Sequence, residues 1–249
     1  MINIRNIGLW KAKELINSNK KKFFYVFVAD IVFFLVILFI RFFLLNRGLT
    51  PNDINNMGQP ASIIFSFSYI LFMLLFYSLM KYLVIIIIKS AEQRSEFRIK
   101  GMIKFVLLNA LLAVIIAFAL SIIMVFIGFA VKEDSIQAVH YVFFVLAALF
   151  SYLYINISHV LFAFSGRVML SVMKPLKIIF TEGKLYIPVV INILFALLLY
   201  MIFVFPAMFA GAELLLMLKV IYYVLFAILF YVAIFLNRVQ LFLKLTNFK

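Results

Sequence analysis

The chain is predicted to be an all-α polytopic membrane protein, a bundle of about six transmembrane helices with amphipathic segments on its inner surface. Three observations predict it. Of its 249 residues 68% are hydrophobic and 13% charged, with a mean hydropathy of +1.22, a composition that a water-facing surface does not carry. Apolar runs of bilayer length recur, and in lipid a helix satisfies every backbone N–H and C=O within its own segment. The polar gaps between the runs alternate between rich and poor in Lys and Arg, which orients successive crossings.

Taken in order, the runs place spans at 23–45, 62–88, 103–130, 138–165, 185–210 and 214–236 in a single domain covering 1–249. The first run begins at Phe23, is too long for a signal-peptide core and is followed by no small-residue cleavage pattern, so it is read as a retained span. Arg5, Lys11, Lys13 and Lys20 to Lys22 precede it; Lys89, Arg94, Arg98, Lys100 and Lys104 surround the second gap. Arg167, Lys174, Lys177 and Lys184 occupy the fourth gap, and Arg238, Lys244 and Lys249 follow the last span. The opposite gaps hold Arg47 with Asp53, Lys132 with Glu133 and Asp134, and Glu213 alone. Both termini are therefore expected in the cytoplasm.

Within the largest outer gap, Thr50-Pro51-Asn52-Asp53 suits either a short capped helix ending near Gly58 or a turn-rich loop. On the inner side, 3–20 and 167–182 are predicted to lie at the interface. Met169, Val172, Met173, Leu176 and Phe180 recur at helical spacing opposite Ser171, Lys174, Lys177 and Thr181, with Pro175 as the weak point. In 3–20, Trp10 suits headgroup depth. Candidate headgroup contacts are Trp10, Lys11, Lys20, Lys21, Lys22, Lys174, Lys177 and Lys184. The segment from Leu9 to Phe23 aligns without a gap on Val172 to Tyr186, which fits either an internal duplication or chance likeness in an apolar chain.

The opening IGLWKAKELINSNKKKFFYVFV and the later VMKPLKIIFTEGKLYIPVVI resemble the membrane domain of glycerophosphoryl diester phosphodiesterases and its stand-alone prokaryotic relatives. That resemblance spans essentially the whole chain. It implies a six-helix lipid-embedded module in a prokaryotic cell membrane and carries no catalytic residue across, because the hydrolase domain of those enzymes has no counterpart here.

Polar residues inside the spans are costly and mark packing or function. Asp30 and Lys81 each lie roughly 12 Å from their nearest basic boundary at 1.5 Å per residue, and Asn109, His159 and Asn192 fall at similar depth. Equal depth and opposite charge suggest an Asp30–Lys81 ion pair; the alternative is a snorkelling Lys81 beside a protonated or hydrated Asp30. In SYLYINISHV, Tyr152, Asn156 and His159 follow one face, either as a titratable relay or as hydrogen-bonding glue. The candidate polar layer is thus Asp30, Lys81, Asn109, Asn156, His159 and Asn192. Ala113, Ala117 and Ser121 continue from Asn109 at four-residue intervals as a packing seam for another helix or a second copy.

Several chemistries lack their residues. There is no cysteine, His140 and His159 have no ligand-spaced partners, and neither GxxxxGK[ST] nor GxGxxG occurs, so no catalytic, metal or cofactor site is assigned. The net charge of +14 lies beside spans instead of on a soluble basic face, which disfavours nucleic acid. The expected function is non-enzymatic: a membrane module that binds anionic lipid headgroups on its cytoplasmic side, a partner protein or its own copies. The alternative is a small transporter or permease subunit with the polar layer lining an inward-facing cavity.

Overall fold

In the computed structural model the described residues are 8–46, 59–92, 95–130, 133–181, scattered positions within 191–202, and 212–246. Among them the chain is helical with no strand: α1 Gly8–Ser18, α2 Lys20–Asn46, α3 Gln59–Glu92, α4 Ile99–Ala130, α5 Glu133–Ser165, α6 Val168–Thr181 and α7 Ala212–Thr246. Five helices are long and apolar enough to cross a membrane, within Lys20–Phe43, Pro60–Glu92, Ile99–Phe129, Val142–Ser165 and Leu216–Leu245. Most of the span predicted at 185–210, and the whole of the Thr50 to Gly58 loop, lie outside the described residues.

The long helices converge at their basic ends. Lys22 Nζ, at the start of α2, donates to the Ser90 carbonyl near the end of α3, and Lys89 Nζ donates to the Ala163 carbonyl near the end of α5. Each ammonium meets carbonyls that the last helical turn leaves without an intrahelical donor, and the negative end of the helix dipole adds to the attraction. Phe164 of α5 packs on Phe242 of α7 at 4.9 Å between ring centroids, and Phe23 of α2 meets Phe235 of α7 edge-on at 5.8 Å. Among the described residues the core lies in this half: Phe23 and Val26, Tyr82 to Ile88, Phe105 to Leu112, Leu153 to Phe162 and Val239 to Leu245. Toward the opposite end Phe39, Phe67, Phe118, Phe126 and Leu216 are exposed, as side chains facing hydrocarbon would be.

Two short helices complete the basic end. α1 packs against α7 and the start of α2, while α6 packs against α4 and α5. α6 stays helical through Pro175, whose ring is buried against the bundle with Ser171, Val172, Ile178 and Ile179. Where α5 turns into α6, Gly166 has φ of 62° and its N–H donates to the Phe162 carbonyl at 2.8 Å, ending α5 in the left-handed conformation. α4 comes close to α3 at Gly101, where an added Cβ would collide with the Tyr82 hydroxyl.

α7 continues to Thr246, ten residues past the end of the span predicted at 214–236. Past residue 236 the chain keeps its apolar periodicity through Val239, Leu241, Phe242 and Leu245, which are buried, so α7 stays within the bundle.

A Cβ at Gly166 would meet nothing within 4 Å, so the cost of Gly166→Ala is that of its left-handed backbone alone. The expected loss is about 1–2 kcal/mol, and Gly166→Asn should lose less because Asn tolerates that conformation. Thermal unfolding of the detergent-purified chain measures both; equal stability of all three proteins would contradict the backbone assignment.

Candidate functional site

Asp30 lies nearly three turns into α2, with its side chain 20% exposed, and faces the end of α7. Arg238 Nη1 donates to both of its carboxylate oxygens, at 2.9 and 3.2 Å, and the Tyr231 hydroxyl donates to Oδ2 at 2.9 Å. Tyr231 and Arg238 are seven residues apart, two helical turns, and so lie on one face of α7. Phe27 packs edge-on against Tyr231 at 5.7 Å between centroids. The expected Asp30–Lys81 pair is therefore replaced by Asp30–Arg238. The guanidinium is the cation that reaches the carboxylate, with Nη1 donating to both oxygens.

Lys81 turns to α5 instead. Its Nζ donates to Asn156 Oδ1 at 3.4 Å, and Asn156 Nδ2 donates to the Tyr152 carbonyl at 2.7 Å. The Tyr152 hydroxyl accepts from Asn237 Nδ2 at 3.0 Å, which ties this cluster to α7 beside Arg238. A second cluster joins α3, α4 and α5: His159 Nε2 lies 2.6 Å from Asn109 Oδ1, and Asn109 Nδ2 donates to Ser78 Oγ at 2.9 Å. The Ser78 hydroxyl donates to the Leu74 carbonyl at 2.6 Å. With Ser78 Oγ accepting and Asn109 Nδ2 donating, Oδ1 is left as the acceptor and His159 Nε2 carries the proton. The imidazole sits against Phe105 at 4.7 Å and Tyr77 at 6.2 Å between centroids.

The structure thus bonds Lys81 to Asn156 and Asn109 to His159 directly between helices, while Asp30 is held separately by α7. Asn192 and Lys184, and the side chain of Trp10, lie outside the described residues. Buried atoms without a hydrogen-bond partner among the described residues are His159 Nδ1, Asn237 Oδ1, Arg238 Nε and Gln240 Oε1. Sequence reasoning missed Asn237 and Arg238 because the last span was ended at 236, and did not single out Tyr231 inside it; the apolar spacing of Val239, Phe242 and Leu245 was the available signal for the former.

Ala113, Ala117 and Ser121 are exposed, so no described helix closes over the predicted seam. Ala113 and Ala117 instead line an open groove that runs past Leu74, Tyr77 and Ile155 to Asn109. Tight approach of α4 to its neighbour occurs at Gly101, nearer the basic end.

α6 has three faces. Ser171, Val172, Pro175, Ile178 and Ile179 meet the bundle; Met169, Met173 and Phe180 are exposed, at 67, 65 and 78%; Lys174 and Lys177 are exposed on the third. At about 100° per residue the apolar face lies between the buried one and the lysines. The Tyr154 hydroxyl donates to the Val172 carbonyl at 3.0 Å and fixes the rotation of α6 on α5. Among the candidate headgroup contacts Lys11, Lys20 and Lys21 are exposed, whereas Lys22 is drawn in by the Ser90 carbonyl. No group of His and carboxylates able to hold a metal occurs among the described residues.

If Asp30 belongs to Arg238, a double-mutant cycle of Asp30→Asn with Arg238→Gln should give a coupling of about 1–3 kcal/mol, and Asp30→Asn with Lys81→Met a smaller one. Unfolding in mixed micelles measures both; a larger Lys81 coupling would reassign the carboxylate. Comparison with protein-family models, curated proteins and solved structures finds no match to this chain, so the functional reading rests on its own residues.

Proposed function

We propose that the chain is a non-enzymatic integral membrane module that binds an anionic lipid surface through its basic end. The observation that carries this reading is α6, which presents Met169, Met173 and Phe180 beside Lys174 and Lys177 while its remaining face is held by α4 and α5. Exposed apolar side chains next to cations suit the boundary between acyl chains and anionic headgroups, and a helix anchored on its third side cannot bury them elsewhere. α1 adds Lys11 and Lys13 at the same end. The direct bonding within the polar layer supports a packing role for it more than a transport cavity.

The basic end is the cytoplasmic one in this reading. The Lys/Arg bias of the gaps supports that, as does the convergence at one end of Lys20 to Lys22, Lys89, Arg98, Lys100 and Lys104. A sixth crossing between α6 and α7 is supported by the described ends: Thr181 lies at the basic end, and α7 is 35 residues long with its own C-terminus there.

Replacing Lys174 and Lys177 together by Gln should weaken retention of phosphatidylglycerol over phosphatidylcholine by about thirtyfold at low salt, at about 1 kcal/mol for each lysine. Native mass spectrometry of the detergent-purified protein reads the ratio, and unchanged preference would refute the surface. The chain has no cysteine, so single substitutions Lys11→Cys, Lys174→Cys and Asn52→Cys report topology directly. In intact cells a membrane-impermeant maleimide should label only Asn52→Cys; labelling of either basic-end cysteine would invert the orientation.

A further inference from the structure

The ends of α3, α4 and α5 enclose an open pocket of about 560 Å³. Lys89 comes from α3, Glu96 and Arg98 from the link, Lys100 and Lys104 from the first turns of α4, and Phe162 to Gly166 from the end of α5. Four cations therefore face one carboxylate among its described lining residues. Lys89 is committed to the Ala163 carbonyl and lies 5.7 Å from the centre of the Phe164 ring, so it offsets the negative end of α5. Arg98, Lys100 and Lys104 are exposed and set the remaining potential against Glu96.

The lining also includes the apolar side chains of Ile86, Phe162 and Phe164, the last beside Lys89. Position adds to chemistry: the pocket lies where Pro60–Glu92 ends, where Ile99–Phe129 begins and where Val142–Ser165 ends, so a bilayer crossed by these spans would set its headgroups at this level. Its volume is that of an ordinary small-ligand pocket. The link is tied to α3 beside it by the Tyr82 hydroxyl, which donates to the Arg98 carbonyl at 3.4 Å, and by Phe97 packed edge-on against Tyr82.

We propose that this pocket binds the phosphate ester of a single anionic phospholipid, with Arg98, Lys100 and Lys104 on the phosphate and the Ile86, Phe162 and Phe164 side chains against the glycerol and the first methylenes. The proposal rests on the lipid-surface reading above and adds to it a stoichiometric site away from Lys174 and Lys177. A soluble phosphate ester carries the same headgroup chemistry without the apolar part.

The test uses the full chain in detergent, with phosphatidylglycerol as the lipid probe and sn-glycerol 3-phosphate as the soluble one, read by native mass spectrometry. One phosphatidylglycerol should be retained tightly, and Arg98→Gln with Lys104→Gln should weaken it by about tenfold or more, the worth of charged hydrogen bonds removed. Glu96→Gln should instead tighten it by about two- to fivefold, a gain that a misfolded variant does not produce. Competition by glycerol 3-phosphate at similar concentration would identify a soluble ester as the occupant; none would identify the lipid. Wild-type affinity in both the pocket and the Glu96 variants overturns the pocket. If Lys174→Gln with Lys177→Gln then still lowers lipid preference, the surface reading stands without it, and if that variant also behaves as wild type both readings fail.

Discussion

A carboxylate within a hydrocarbon-spanning helix has to be neutralised where it stands, and in this chain that requirement joins the first long helix to the last. Asp30 is met by Arg238 and by Tyr231, two turns apart on α7. To bring both donors to one carboxylate, α7 must run alongside α2 with a set rotation, and the Phe23–Phe235 and Phe27–Tyr231 contacts follow from that alignment. Breaking such a pair leaves a charge with poor solvation, a cost of about 3–5 kcal/mol in buried sites. α7, packed by its backbone on α1 and α5, is thereby also joined to α2.

Around that contact the packing is uneven. Amide, hydroxyl and imidazole groups of α3, α4, α5 and α7 bond across helices in the half of the bundle nearest the basic end, and the buried apolar residues lie in the same half. Helices in lipid gain little from apolar contact alone, since acyl chains offer the same contact, so association concentrates where polar bonds and close approaches occur. Gly101 against Tyr82 is one such approach. The exposed apolar ends of the same helices need no partner as long as they face lipid.

The basic end combines what this packing leaves outside. Lys22 and Lys89 are used to finish neighbouring helices, whereas Lys177, Arg98, Lys100 and Lys104 remain exposed at the same end. Some of the positive charge therefore builds the bundle and the rest is available to anions. Charge counted by gaps does not separate these two roles, because a lysine's partner is a carbonyl on a helix distant in the chain.

The sequence by itself determined that the protein is helical and that its helices are long and apolar enough for a membrane. These follow from composition, the 3.6-residue period and a constant rise per residue, all properties of single segments. Only the tertiary structure decided that Asp30 pairs with Arg238 and not Lys81, that α7 continues to Thr246, that the alanines of α4 line a groove, and that α6 buries Val172 while exposing Met173. Each depends on which face of one helix meets which face of another. Depth along a helix is legible one segment at a time, but rotation is settled only when several helices satisfy their polar groups together.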